Sequence, residues 1–513
     1  MLTKICSIAN IGLETIPVIV EVDVAQSGFP GFTIVGLASK AVEEAKERVK
    51  TAIINSGLEF PSKKITVNLA PADLPKDGAA YDLPIAVGVL IAGGQITASP
   101  AVNLKRTFFY GELSLDGTLR PTRGILLLAL HAQKKRNTTI IVPMPSANEA
   151  TNVSGIKILP VKTLTRLIRH ITAGQFIIPL KRPKAKKVTE KIIIEFDLNE
   201  IAGQELAKRA LTITAAGGHN LLMWGPPGTG KTMLARALPG ILPPLTDREA
   251  LEVTRVYSVA GLVSPGEAVI QKRPFRAPHH GVSAAGLIGG GSNPLPGEVS
   301  LAHLGVLFLD EMPEFQRSVL ESLRQPMEDG TIEIVRAKGH VRYPASFTLI
   351  AAVNPCPCGY YGHPKRECKC SERQIAKYHH RISGPIIDRI DLSVSVAAVE
   401  TEKLSLTRQN EINRLSSKEA KELVVKARQI QTKRFAQSAI YTNSQMRNRD
   451  VKRFASLTSD AENLLKIAAD RFDLSARSYF RLIKVARTIA DLETEEKILP
   501  RHMAEALQYK QNT

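Results

Sequence analysis

The chain has 513 residues, 44% of them hydrophobic and 23% charged, with 68 Lys and Arg against 49 Asp and Glu for a net charge of +19. That length suggests about three domains at roughly 100–200 residues each, and the composition excludes a disordered or fibrous chain. The charge disfavours a cationic partner and favours a polyanion or an anionic surface, with a basic but ordinary soluble protein as the alternative.

No stretch reaches the roughly 18 uninterrupted apolar residues of a membrane helix. The nearest, residues 83–96, is broken by Pro84, by glycines and by Gln95. The alternating N-terminus carries Glu14 and does not read as a signal peptide. The expectation is a cytoplasmic protein with no membrane partner. Residues 1–180 alternate strand-like runs (17–24, 65–69, 139–142) with helix-like ones such as 39–56. Residues 181–190 open with KRPKAKK, which is basic, holds a proline and has no apolar period; this is linker chemistry, with a DNA-binding tail as the alternative. Residues 191–400 alternate strands and helices with glycine-rich turns, which predicts a parallel α/β sheet. Residues 401–513 read as helical.

Residues 220–232 are NLLMWGPPGTGKT. An apolar run enters Gly225-x-x-x-x-Gly230-Lys231-Thr232 and a helical run follows, the P-loop pattern in its strand–loop–helix setting. In the loop Gly225, Pro226, Pro227, Gly228, Thr229, Gly230, the glycines let backbone N–H groups converge on phosphate oxygens. The helix N-terminus adds partial positive charge. Lys231 is expected on the β- and γ-phosphates and the Thr232 hydroxyl on Mg²⁺, so ATP and Mg²⁺ are the expected cofactors. The run 305–309 (GVLFL) suits a strand buried on both faces and ends in Asp310 and Glu311. Carboxylates at such a strand end lie where ligands bind in open α/β sheets. Asp310 is expected in the Mg²⁺ shell and Glu311 on the attacking water. The run 346–353 ends in Asn354, placed to orient water near the γ-phosphate; a plain Asn-Pro turn is the alternative.

Four of the five cysteines fall within fifteen residues, Cys356, Cys358, Cys368 and Cys370. Four thiolates complete a closed tetrahedral Zn²⁺ site, although C-x-C is tighter than the usual C-x₂₋₄-C; His363 is a substitute ligand, and four free cysteines are the alternative. Between Glu311 and Asn354, residues 331–344 (TIEIVRAKGHVRYP) read as a hairpin made basic by Arg336, Lys338 and Arg342. Residues 273–298 read as a long Gly/Pro-rich loop in which Arg273, Arg276, His279 and His280 are candidates for phosphate contacts.

The P-loop, the Asp310-Glu311 strand and Asn354, in this order, resemble the AAA+ ATPases. The motifs PADLPKDGAAYDLPIAVGVL, GELSLDGTLRP, RPFRAPHH, GEVSLAHLGVLFLDEMPEF, NPCPCGYYG and SARSYFRLIKVARTIADL extend the resemblance along essentially the whole chain, to the magnesium-chelatase-like branch and within it to the ComM (YifB) family. The resemblance implies a Lon-protease-like α/β domain over 1–180, an AAA+ parallel-sheet core over 191–400 and a C-terminal helical lid over 401–513. It implies a catalytic arginine supplied between subunits, Arg389 in SGPIIDRIDL, with a local ion pair to Asp388 or Asp391 as the alternative. Arg477 resembles the lid arginine that senses nucleotide, or is a surface arginine. It further implies a homo-oligomeric ring, a hexamer, acting as an ATP-dependent helicase in branch migration of DNA during natural transformation, with the hairpin of Arg336 and Lys338 in the pore and single-stranded or branched DNA as partner. A MoxR-like protein remodeller or a chelatase subunit are the competing classes. Where the Lon protease has PKDGPSAG this chain has PKDGAAYD, so Ala80 stands in the place of the serine nucleophile, and Leu126 stands in the place of its lysine. A Ser–Lys dyad needs an oxygen nucleophile and an amine, and neither is present there.

Overall fold

The computed structural model describes residues 1–181, 196–397 and 415–510, except Ala38, Pro75, Asp77, Arg136, Pro265, Ser292, Asn293, Ala337, Lys338, Pro364, Lys365 and Ala439; for Arg336 and Gly339 it describes the backbone alone. All but the first residue of the expected linker, and the expected boundary at 400, therefore lie outside the described residues.

A seven-stranded sheet organises the N-terminal part. β1 (Leu2–Ile11) and β2 (Glu14–Val24) pair antiparallel around a turn at Gly12, which has φ +59°. β2 alternates as its sequence does, with Val18, Val20, Val22 and Val24 buried. β3 (Gly31–Val35), β4 (Lys64–Ala70), β5 (Thr107–Phe109), β8 (Thr138–Pro143) and β9 (Ile156–Val161) complete the order β3-β4-β2-β1-β5-β8-β9, while β6 (Glu112–Leu113) and β7 (Leu119–Arg120) form a small separate hairpin. The apolar run at 83–96 is largely a helix, Asp82–Ala92, whose residues are all buried. Burial all round explains its lack of a polar face. Ala80 and Leu126 pack in one apolar cluster with Ile8, Phe108 and Tyr110.

The second sheet is parallel throughout, in the order β11-β14-β17-β10-β18: β10 (Leu221–Trp224), β11 (Phe275–Arg276), β14 (Val306–Leu309), β17 (Thr348–Val353) and β18 (Leu392–Ser395). Residues 273–298 differ from the expected long loop. They supply edge strand β11, helix Ala284–Ile288 and a small hairpin of β12 (Gly289–Gly290) and β13 (Leu295–Pro296). The glycines serve a tight return: Gly289 has φ +109°, and a Cβ on it would meet the Leu295 carbonyl oxygen at 2.4 Å. β15 (Thr331–Arg336) and β16 (Gly339–Pro344) form the expected hairpin, paired from Thr331–Pro344 to Arg336–Gly339, between β14 and β17 in the chain.

The C-terminal part is helical: Ser417–Arg434, Asn448–Phe454, Ser459–Arg471, Ala476–Leu492 and Pro500–Gln508. These helices share one apolar core with the parallel sheet and helix Glu205–Gly217. A buried polar knot centres on Asp491, which accepts from Arg487 Nε at 3.1 Å, Arg434 Nη1 at 2.8 Å and Asn443 Nδ2 at 2.7 Å. No helix among the described residues is long and apolar enough to cross a membrane.

The two sheets are joined through helix Asp247–Ala260. Gly124 N donates to the Ser258 carbonyl at 3.0 Å, Ser258 Oγ donates to Glu149 Oε2 at 2.5 Å, and Arg255 Nη2 donates to the Leu13 carbonyl at 3.3 Å. Burial pushes the Glu149 carboxyl up to about 7. The folded state therefore binds this proton more tightly than the unfolded one, and the proton's contribution to stability is complete below the ordinary glutamate range and lost as pH rises through about 7. Denaturant unfolding between pH 5 and pH 8 should show wild type losing stability relative to Glu149→Gln, and the difference should be flat if Glu149 titrates like an exposed glutamate.

A candidate nucleotide site and a distant arginine pair

The carboxyl ends of the parallel strands gather the phosphate chemistry. β10 delivers the chain to Gly225, whose N–H bonds the Val353 carbonyl at 3.1 Å. A Cβ on Gly225 would lie 2.1 Å from the Val396 carbonyl oxygen, so only glycine lets the loop pass between its neighbours. Gly228 and Gly230 stand in open space at φ +77° and +89°, where the backbone itself demands glycine. Thr229 Oγ1 closes the loop on the Pro226 carbonyl at 3.0 Å. Gly230 caps helix Lys231–Ile241, so the first free N–H groups of that helix face the loop.

Lys231 Nζ folds over this loop, donating to the carbonyls of Gly225 (2.7 Å) and Pro226 (2.8 Å) and to Asn354 Oδ1 (3.2 Å). Burial holds its ammonium below the usual lysine range, with Asp310 and Glu311 pulling the other way. Thr232 Oγ1 donates to Asp310 Oδ2 at 2.9 Å, which sets two hard oxygen donors side by side, a set that fits Mg²⁺. Glu311 is exposed and sits at φ +50°, a conformation disfavoured for a residue with a side chain. The structure thus pairs Lys231 with Asn354 and Thr232 with Asp310 at the same end of the sheet.

Directly after Asn354 the four cysteines converge. Their sulfurs all lie within 4.8 Å of one another. Cys356 is 3.3 Å from Cys358, and Cys368 is 3.6 Å from each of these two. Tetrahedral zinc with bonds of about 2.3 Å separates its sulfurs by about 3.8 Å, so this set fits Zn²⁺ with modest relaxation. The backbone N–H of Tyr360 is the main cause holding the Cys358 thiol down, to about 6. The four-sulfur set does not include His363, whose Nδ1 accepts from Arg366 N at 3.1 Å, and Cys6 is remote, its sulfur at 3.9 Å from the Lys105 carbonyl. The knuckle leans on the phosphate loop: a Cβ on Gly359 would meet Pro227 Cδ at 2.6 Å.

Arg389 and Arg477 lie elsewhere. Arg389 precedes β18, and its carbonyl accepts from Asn220 Nδ2 at 2.9 Å, at the amino end of β10. About 16 Å of strand separates Asn220 from Gly225. Arg389 pairs with neither Asp388 nor Asp391 but with Glu328 Oε1, at 2.5 Å, and Arg477 Nη2 meets the same oxygen at 2.8 Å. Both line a cleft of about 1680 Å³ between the sheet and the C-terminal helices. Sequence reading missed Glu328 and also Arg481, whose Nη1 donates to the Ile390 and Asp388 carbonyls at 2.5 and 3.3 Å. Glu328 lies in no quoted motif, and Arg481 lies in SARSYFRLIKVARTIADL without a sign of its role there, because each acts through a partner far along the chain.

The remaining expected DNA contacts divide. Arg273 donates to the carbonyls of Pro243 and Leu304, both at 2.7 Å, and to Glu249 at 3.1 Å. Arg276 forms a two-pronged pair with Glu298 at 2.6 and 2.7 Å. Both guanidiniums are thus ion-paired and half-buried in the fold. Lys338 lies outside the described residues, as does the side chain of Arg336.

A P-loop beside an acidic strand end on an all-parallel sheet, with a helical C-terminal part, is the architecture of an AAA+ ATPase. Family models described as "Magnesium chelatase, subunit ChlI", "Subunit ChlI of Mg-chelatase" and "Magnesium chelatase, subunit ChlI C-terminal" match residues 197–404, 20–146 and 414–510. The chain is 44% identical to the competence protein ComM of Haemophilus influenzae over 99% of its own length and 97% of that protein. It is 42% identical to the uncharacterized protein YifB of Escherichia coli over 98% and 96%. The magnesium-chelatase 38 kDa subunit of Rhodobacter capsulatus is 30% identical over 31% of this chain and half of that protein. The chain belongs to the ComM (YifB) family of magnesium-chelatase-like AAA+ ATPases.

Lys231→Ala should abolish binding of a fluorescent ATP analogue, because it removes the ammonium that neutralises the β- and γ-phosphates. Glu311→Gln should bind the analogue normally and turn ATP over at least tenfold more slowly; normal turnover would reassign the water-activating role.

Proposed function

We propose that the chain is an ATP-driven DNA motor that promotes branch migration in natural transformation or recombination, working in the cytoplasm as a homo-oligomeric, hexameric ring. The observation that carries the motor is the hairpin β15–β16, inserted in the chain between the strand ending in Asp310-Glu311 and the strand that leads to Asn354. Hydrolysis at the carboxyl ends of those two strands moves whatever is anchored on them. The chain's net charge of +19 suits a polyanionic track. The name of the Haemophilus influenzae relative, a competence protein, points to DNA as that track.

ATP binds in the loop 225–230 with Lys231 on its phosphates, and Mg²⁺ is held by Thr232 and Asp310. Glu311 takes the proton of the attacking water and Asn354 orients that water. Arg389 sits at the far end of the sheet from its own P-loop, so it serves the nucleotide of an adjacent copy; contacts of this head-to-tail kind build a ring where the rotation closes and a filament where it does not. Arg477 accompanies it. The apolar cluster around Ala80 and Leu126 supports a scaffold without peptidase chemistry for residues 1–180. Zn²⁺ at Cys356, Cys358, Cys368 and Cys370 is structural and leaves no position for water.

Protein purified without chelators should carry about one zinc per chain by elemental analysis, and replacing Cys368 by Ser should remove it. ATP hydrolysis should rise with single-stranded or forked DNA of any sequence, and the rise should fade as salt increases. Replacing Arg336 and Lys338 together by Ala should cut the ratio of DNA-stimulated to basal hydrolysis several-fold and slow strand displacement on a three-stranded substrate. Wild-type stimulation in that double variant would move the DNA contact away from the hairpin. Stimulation by unfolded protein rather than DNA would favour a remodeller.

A further inference from the structure

We infer that Glu328 is a positioning residue for hydrolysis: its carboxylate holds Arg389 and Arg477 side by side as one clamp for the phosphates of Mg-ATP bound to a second copy of this chain. The inference rests on the reading of Arg389 given above. Three separate elements meet at one oxygen. Glu328 lies on helix Arg324–Asp329, Arg389 follows helix Gly384–Ile387, and Arg477 stands in the first turn of helix Ala476–Leu492. Glu328 Oε1 accepts from Arg389 Nη2 at 2.5 Å and from Arg477 Nη2 at 2.8 Å.

Two guanidiniums this close repel, and a shared carboxylate is what makes their adjacency stable. Arg389 depends on it most. Its side chain is only 9% exposed, its Nη1 is spent on the Pro385 carbonyl, and its Nε is buried without a partner. Burial and the nearby Arg477 both hold its guanidinium below the usual arginine range, while Glu328 opposes them. The two acids next to it in sequence do not pair with it: Asp391 accepts from Asn220 N at 3.0 Å and faces His219 Nδ1 at 3.4 Å.

The backbone around Arg389 is already fixed. Arg481 holds the carbonyls on either side of it, and Asn220 holds its own. The side chain is then set by the Pro385 carbonyl on Nη1 and by Glu328 on Nη2, and of the two only Glu328 brings Arg477 to it. Two positive charges against one leave the cluster net positive, with Arg477 47% exposed toward the cleft. That is the polarity a polyphosphate approaches. A clamp set before the phosphate arrives needs no reorganisation as charge develops in the transition state, so its effect belongs in kcat and not in nucleotide affinity.

The test uses the full-length assembled protein and follows ATP hydrolysis, binding of a fluorescent ATP analogue, mass by light scattering and Tm. Glu328→Gln is expected to lower kcat at least tenfold, with analogue affinity, mass and Tm close to wild type, and Glu328→Asp to recover part of the loss. The double variant Glu328→Gln with Arg389→Ala is expected to be no slower than Arg389→Ala alone, since both changes disable the same group. The inference is overturned if Glu328→Gln keeps kcat within twofold of wild type, or if kcat falls only together with mass or Tm. If Arg389→Ala itself hydrolyses ATP normally, the arginine reading fails and Glu328 falls with it. An impaired Arg389→Ala beside a normal Glu328→Gln removes the positioning role alone.

Discussion

A parallel sheet has two unlike ends, and most of what this chain does at its candidate site follows from that polarity. Every strand of the five-stranded sheet runs the same way, so the loops after β10, β14 and β17 collect at one end. The phosphate loop, Asp310 and Asn354 are brought together there by topology before any side-chain contact is made. The same polarity sends the turn before β18 to the other end, where Asn220 ties Arg389 to the start of β10. Groups held at opposite ends of one sheet cannot meet across it. The phosphate-binding half and the arginine half are not two walls of one pocket; in the proposed ring they would face each other across neighbouring copies.

Close backbone approach sets the second level of order. Gly225 passes beside the Val396 carbonyl with no room for a Cβ, and Gly359 rests on Pro227 in the same way. The cysteine knuckle, the phosphate loop and the strand that ends in Asn354 are thus stacked on one another. A closed metal site suits that position, since it fixes a short irregular segment that has few apolar side chains of its own to bury.

The sequence carried much of this and missed a definable part. The P-loop was legible because its chemistry is contiguous: glycines, lysine and threonine lie within eight residues on one strand–loop–helix. The alternating runs at β2 and β4 and the hairpin at 331–344 were legible because one face of each meets a core, and β8 because it is a continuous apolar run buried on both faces. The ion pairs of Arg273 and Arg276 were illegible for the opposite reason. Their partners, Glu249 and Glu298, lie 24 and 22 residues away, and no local pattern distinguishes an arginine facing solvent from one spent inside. Glu328 was invisible on the same grounds, 61 residues from Arg389 and 149 from Arg477. The 273–298 segment read as loop because each of its three strands is two residues long and its helix five, too short to show a period.

The hairpin β15–β16 shows how the two kinds of information combine. Its period of two puts Ile332, Ile334, Val341 and Tyr343 inward, all buried, and Tyr343 Oη donates to the Pro294 carbonyl at 2.7 Å. The same period turns Glu333, Val335, His340 and Arg342 outward, and Val335 is 70% exposed. The root is therefore welded to the apolar cluster that also holds Leu307, Leu309, Leu349 and Ala351 of β14 and β17. Close-packed interiors shift as units and do not deform continuously. In the proposed motor, a displacement of β14 against β17 would be passed to the root of the hairpin through this shared cluster. In the proposed motor, then, force is carried by the four inward side chains, and the outward ones set what the tip can hold.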